Sequence, residues 1–161
     1  METKLELRVG DILLKRRLTL ALAESCTGGL LAATITHKSG ASKVFEGGFI
    51  TYTNEAKIEL LNVPAEIIEE YGAVSAETAK AMAEGALKKT KAHLSVSITG
   101  IAGPEGGTET KPVGLVYFGY ALKGGSAGSM WEQFSGSRTE IQTMAATTAM
   151  NHLIAVLRKE D

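Results

Sequence analysis

Apolar positions recur along the chain with two periods, and the switches between them mark its elements. Leu5, Val9, Ile12 and Leu13 share one face at helical spacing, which predicts an amphipathic helix over residues 3–16, closed by the cations Lys15, Arg16 and Arg17. Leu18 to Leu22 is an apolar run of strand length, and Leu30 to Ile35 opens a helix that runs to about Lys38 and stops at Ser39-Gly40. Val44 to Thr53, rich in β-branched and aromatic residues, predicts a second strand, with Gly47-Gly48 marking a bulge or a close backbone approach. Asn54 is placed to cap a helix over 55–61, Pro64 to start a short helix ending near Gly72, and Ser75 to cap a helix from Ala76 to about Lys91. In that helix Ala79, Met82, Ala83, Ala86 and Leu87 form one apolar stripe. Leu94 to Thr99 alternates apolar residues with hydroxyls, a strand with one side on something polar. Val113–Leu122 and Ser129–Phe134 read as further strands. Thr139 to about Leu157 reads as the closing helix, with Ile141, Ala145, Thr148, Ala149 and Val156 turned inward.

The order α-β-α-β-α-α-α-β-β-β-α predicts a single α/β domain over residues 1–161, a three-layer α/β/α sandwich with helices on both faces of the sheet. The last three strands follow one another too closely for crossover helices, so the sheet is expected to be mixed. With 161 residues, 44% of them apolar and 22% charged, the chain can bury a real core. A net charge of −1 argues against a nucleic-acid partner held by a broad basic surface. No apolar run approaches the roughly 18 residues of a membrane span, and Met1 to Glu6 is no signal peptide, so no membrane partner is expected. A single cysteine, Cys26, fits a cytoplasmic protein.

The chemistry centres on Glu24-Ser25-Cys26-Thr27-Gly28-Gly29, where the first strand hands over to a helix. Ligands of α/β sheets bind at strand ends, and a helix start offers free N–H groups to an anion or a developing oxyanion. Ser25 or Thr27 could equally do no more than cap the helix. The glycines do not fit a Walker loop, because no Gly-Lys-Ser/Thr follows. Neither CxxC nor HExxH occurs, and no metal or other cofactor is expected. His37, His93 and His152 fall within or at the ends of helices, and His152 reads as a core residue rather than a catalyst. A serine nucleophile then needs another base. Lys57 lies one helical turn beyond the second strand and Tyr52 near that strand's end, so Ser25, Tyr52 and Lys57 meet if the first two strands are neighbours. The alternatives are an exposed lysine, a tyrosine covering the core, and Cys26 as the nucleophile, its thiol acidified by the helix start, or merely a small buried residue.

Six segments then recur in order: Ala23–Gly29, Tyr52-Thr53-Asn54-Glu55-Ala56-Lys57, Gly72-Ala73-Val74-Ser75, Ser97–Pro104, Lys111-Pro112-Val113-Gly114 and Phe134-Ser135-Gly136-Ser137-Arg138. Together they resemble the CinA C-terminal domain family, the nicotinamide-nucleotide amidases (PncC-like), from about Leu13 to the end of the chain. The resemblance implies an α/β/α sandwich that hydrolyses nicotinamide mononucleotide to nicotinic acid mononucleotide and ammonia. It implies Ser25 as nucleophile with Lys57 and Tyr52 as partners. Thr27, Gly28, Gly29, Asn54, Thr99, Gly100, Gly103 and Arg138 are the expected substrate-binding residues, with backbone N–H groups near Thr27 and Gly28 holding the oxyanion. The Gly100–Gly107 loop is expected to close over the nucleotide, and Arg138 to meet its phosphate. Many relatives carry a further N-terminal domain, absent from these residues, and any activity of that domain is expected to be absent. A non-catalytic nucleotide-binding module and a competence-related interaction domain are the alternative readings. A homodimer that completes the pocket is a further expectation.

Overall fold

The sheet runs β2-β1-β3-β4-β5, as described for residues 4–159 by a computed structural model. β1 (Leu20–Glu24), β2 (Phe45–Ile50) and β3 (Leu94–Gly100) lie parallel to one another, and β4 (Leu115–Leu122) and β5 (Ala127–Gln133) continue antiparallel. Parallel neighbours need crossovers. The chain passes from β1 to β2 through α2 (Leu30–Thr36), and from β2 to β3 through α3 (Asn54–Leu61), α4 (Ala65–Tyr71) and α5 (Ala76–Lys89). α1 (Leu5–Lys15) and α6 (Arg138–Lys159) complete the helices seen among the described residues.

The pleat sorts the sheet's two faces. Leu20, Leu22, Leu94, Val96, Ile98, Val116 and Phe118 pack with α1, α2 and α6 into one core. Ala23 joins Leu61, Val63, Ile68, Met82 and Ala86 in a second core under α3, α4 and α5. The hydroxyls of β3 also face α5. Ser95 and Ser97 donate to the carbonyls of Ala83 and Ala79, and Thr99 donates to Ala73 O at 2.8 Å. Gly119 of β4 lies under Ala79, where a Cβ would strike that carbonyl, so glycine sets how closely α5 sits on the sheet. The expected α/β/α sandwich with a mixed sheet is the observed architecture.

Boundaries moved where backbone geometry overrode hydropathy. The expected start of the first helix at Thr3 lies outside the described residues. Leu18 and Thr19 belong to the turn after α1, with Arg17 at φ 57°, so β1 begins at Leu20. It continues through Glu24, a charged residue that pairs with both Ile50 and Ile98. α2 ends at Thr36 rather than Lys38, and Gly40 starts a short 3-10 turn instead of capping the helix. The bulge in β2 is real, with Glu46 as the extra residue: Leu20 faces Phe45 and Ala21 faces Gly47. β2 ends at Ile50 because Thr51 turns its carbonyl to a side chain. Thr53, not Asn54, caps α3, accepting from Ala56 N at 3.1 Å. β5 starts two residues earlier than the sequence suggested, at Ala127.

Candidate active site

The carboxyl ends of β1, β2 and β3 lie side by side. Ser25 N–H donates to Ile98 O at 2.9 Å, and Thr51 N–H donates to Glu24 O at 2.8 Å. Parallel pairing therefore brings the residues just past each strand to one edge, where ligands of such sheets bind. A cleft of about 230 Å³ opens there, with Ser25, Cys26 and Lys57 at its floor. Ala73 and Val74 form one wall, Ile101, Ala102, Gly103, Glu105 and Gly106 another, and Tyr52, Asn54 and Arg138 reach its rim.

Lys57 is the largest fully buried side chain, 1% exposed. α3 starts on the Thr53 cap, so its fourth residue points back beneath β2. Its Nζ lies 2.8 Å from Ser25 Oγ, 2.8 Å from Thr51 O and 3.4 Å from Tyr52 O. All three are uncharged oxygens, and Glu55 and Glu59, the carboxylates of its own helix, are exposed. Burial without a counter-charge brings its pKa down to about 8. The Cys26 thiol moves the other way: burial pushes it up to about 12. The amine beside Ser25 can therefore be neutral near physiological pH, while the thiol next to it stays protonated.

Glu24, which sequence reasoning did not single out, holds the turn in shape. Its buried carboxylate accepts from Thr27 Oγ1 at 2.6 Å, Leu31 N at 2.9 Å and Ala32 N at 2.9 Å. The start of α2 is thus filled by this carboxylate and is not open to an anion. Neither Ser25 nor Thr27 caps the helix, and Thr27, Gly28 and Gly29 do not line the cleft. Gly28 N–H is engaged by Ser25 O at 3.0 Å, closing the turn. The signal for Glu24 was present in the sequence: a carboxylate at the end of an apolar strand, just before a helix that lacks an N-cap.

Tyr52 contributes differently from what was expected. Its ring is 55% exposed, and its phenol accepts from Arg138 Nη2 at 2.7 Å rather than standing between Ser25 and Lys57. Its carbonyl is the group near them, 3.5 Å from Ser25 Oγ. Arg138 also donates to Gly103 O at 2.7 Å. Both of its acceptors are neutral, so its charge is left to the cleft. Thr99 lines the cleft with its hydroxyl proton committed to Ala73 O, and Asn54, Gly100 and Gly103 line it as expected. Among the described residues Glu105 is the one carboxylate in the lining, and it too was missed. His152 stands away from the cleft, edge-on to Phe118 with ring centroids 5.1 Å apart. Its Nε2 has no hydrogen bond among the described residues, and burial lowers its pKa. No cluster of metal-binding side chains occurs among the described residues, and no described helix is long and apolar enough to cross a membrane.

The description of the CinA C-terminal domain matches residues 2–157. The chain belongs to the CinA C-terminal domain family. It is 49% identical over 152 residues to a CinA-like protein of Dictyoglomus thermophilum, covering 94% of this chain and 37% of that protein. The chain spans little more than a third of the length of the curated relatives it matches. Among solved structures it resembles the competence/damage inducible protein CihA of Agrobacterium tumefaciens, with 42% identity and a TM-score of 0.92 over 96% of this chain and 93% of that one. It also resembles a competence-damaged protein (CinA) superfamily protein of Escherichia coli, with 35% identity and a TM-score of 0.90 over 94% and 88% of the two chains.

Proposed function

We propose that the chain is an amidohydrolase that converts nicotinamide mononucleotide and water to nicotinic acid mononucleotide and ammonia, with Ser25 as nucleophile and Lys57 as base. The observation that carries this reading is the 2.8 Å contact between a buried, uncompensated amine and a serine hydroxyl at the floor of a cleft. A neutral lysine has two N–H groups and one lone pair. The carbonyls of Thr51 and Tyr52 take the N–H groups, which leaves the lone pair for the proton of Ser25. Ser25 Oγ then bonds to the carboxamide carbon. The C–N bond breaks as the Lys57 ammonium returns the proton to the leaving nitrogen, and ammonia departs. Water, deprotonated by Lys57, cleaves the acyl-enzyme ester and frees the carboxylate and Ser25.

The resemblance of the six ordered segments names the substrate, and the charges of the cleft suit it. Arg138, paired only to neutral acceptors, offers its guanidinium to a phosphate at the rim. The test is ammonia release from nicotinamide mononucleotide against a panel of other amides, run beside equilibrium binding of the same compounds. Turnover with that nucleotide that is lost in Ser25→Ala supports the proposal. Tight binding with no ammonia from any amide would instead make the domain a nucleotide-binding module.

A further inference from the structure

We infer that the Tyr52 phenol is a phosphate ligand, donating its own proton beside the Arg138 guanidinium so that the two side chains grip one phosphomonoester at the cleft rim. The inference rests on the cleft being a site for a phosphorylated nucleotide. Tyr52 lies two residues past β2 and Arg138 opens α6, and both line the cleft. Arg138 Nη2 donates to the phenol oxygen at 2.7 Å, and Nη1 donates to Gly103 O at 2.7 Å. A guanidinium carries five N–H groups, so these two bonds orient Arg138 without using it up. Among the described residues its charge has no carboxylate partner, not even Glu105 in the same lining.

A phenol is donor and acceptor at once. The Tyr52 oxygen accepts from Arg138, so its proton goes elsewhere, and no described residue takes it. The side chain is exposed, which leaves that proton to solvent or to a ligand. The rim thus presents a guanidinium and an O–H whose heavy atoms lie 2.7 Å apart, and two oxygens of one phosphate can meet two donors that close together. The nearby helix starts are already occupied. Glu24 fills that of α2, and at α6 Ser137 N–H donates to Glu140 Oε1 at 3.1 Å while Glu140 N–H donates to Ser137 Oγ at 3.3 Å. A phosphate at the rim therefore meets side chains rather than a helix start. Tyr52 then serves binding through its phenol, while Lys57 Nζ reaches only its carbonyl.

The test titrates ribose 5-phosphate and ribose, which contain no amide, into the wild type, Tyr52→Phe, Arg138→Ala and the double variant, with calorimetry as the readout. The wild type should prefer the phosphate ester, and Tyr52→Phe should weaken its binding about 10-fold, the scale of one hydrogen bond to a charged group. Adding Tyr52→Phe to Arg138→Ala should weaken it again, because the phenol's own bond to phosphate is then lost as well. With nicotinamide mononucleotide, Tyr52→Phe should raise KM by a similar factor while kcat holds. A wild type that binds ribose as tightly as its phosphate would overturn the inference. So would a double variant no weaker than Arg138→Ala, which would reduce Tyr52 to a prop for the guanidinium, or a fall in kcat with KM held, which would return the phenol to the chemistry. Phosphate-dependent binding that follows the expected order, without ammonia release from any amide, would overturn the amidase proposal and leave the role of Tyr52 standing.

Discussion

The side of β3 that faces α5 and the turn after β1 both bury hydroxyls, in adjoining strands, and they put them to opposite uses. Ser97 is fully buried; it donates to Ala79 O and accepts from Gly119 N at 3.1 Å. Ser95 and Thr99 donate to further carbonyls of α5 and the loop before it. Ser25 is almost as buried, 7% exposed, yet its oxygen faces an amine at 2.8 Å. A backbone carbonyl accepts a hydrogen bond but is too weak a base to remove a proton. An amine with a pKa of about 8 can remove one. The same functional group is thus cement in one place and a candidate nucleophile in the other. The difference lies in the partner, not in the degree of burial.

The strongest way to break that contrast is to exchange the outcomes. Ser25→Ala should leave the thermal midpoint near wild type and lower ammonia release about ten-thousand-fold, the scale for losing a covalent nucleophile. Ser97→Ala should do the reverse. It removes the hydroxyl's bonds to Ala79 O and Gly119 N and costs about 1 kcal/mol of stability with kcat kept. Calorimetry and an ammonia assay on both variants decide it, and a dead but stable Ser97→Ala would erase the distinction.

Lys57 comes next. Its removal as Lys57→Met should lower kcat about a thousand-fold, within the usual span for a general base. In wild type, kcat/KM should rise with pH through about 8, because the neutral amine is the active form, and that limb should vanish in the variant. Stability carries the opposite mark. The folded state holds Lys57 at about 8 against an ordinary value of 10.5. Below pH 8 both folded and unfolded forms are charged, and the fold carries the full cost of burying the ammonium, about 3 kcal/mol. Between about pH 8 and 10.5 the folded chain binds fewer protons than the unfolded one, so that cost fades as pH rises. Lys57→Met should therefore raise the melting temperature at pH 7 and lose its advantage by pH 10. A melting temperature lowered at pH 7 would show that the amine is not held against its charge.

Most of the architecture was legible because apolar period and chain order suffice for it. The stripe from Ala79 to Ala86 and the Ser75 cap read directly as α5, and three closely spaced strands read as the antiparallel half. The site was legible in part. Ser25 and Lys57 follow two neighbouring parallel strands, Lys57 from the helix after β2, and that neighbourhood was an assumption of the sequence reading that the pairing of β1 with β2 bears out. What could not be read was orientation. Tyr52 lies two residues past the end of β2, and no periodicity tells whether its phenol or its carbonyl turns inward. Glu24 was missed because the cap of the next helix was sought in Ser25 and Thr27, whereas the carboxylate just before the turn takes the N–H groups of Leu31 and Ala32.

Arg138 tests the rim rather than the floor. Arg138→Ala removes a charge that no described carboxylate shares, so it should raise KM for nicotinamide mononucleotide about 10- to 100-fold, as expected for a lost charge-assisted bond. Its kcat should change little, and an unphosphorylated nucleoside amide should show no such loss. Equal losses with both compounds would mean that Arg138 serves only to tie Tyr52 to Gly103.

The smallest effect is expected beside the largest. Cys26 follows Ser25 directly and lines the same cleft, so adjacency alone would nominate it. Its surroundings do not. With its pKa pushed up to about 12 by burial, roughly one thiol in 10,000 is ionised at pH 8. The start of α2, which would otherwise acidify it, is filled by the Glu24 carboxylate, whose charge raises the thiol further. The thiol packs into the core with Leu31 and Ile98. Cys26→Ala should therefore keep kcat/KM close to wild type, with a loss of stability about 1 kcal/mol from the small void it leaves. Iodoacetamide should label wild-type Cys26 far more slowly than a free thiol, and ammonia release should outlast the labelling. A Cys26→Ala variant that is folded but inactive would move the nucleophile one residue along the turn, and Lys57 would then have to serve a sulfur instead of an oxygen.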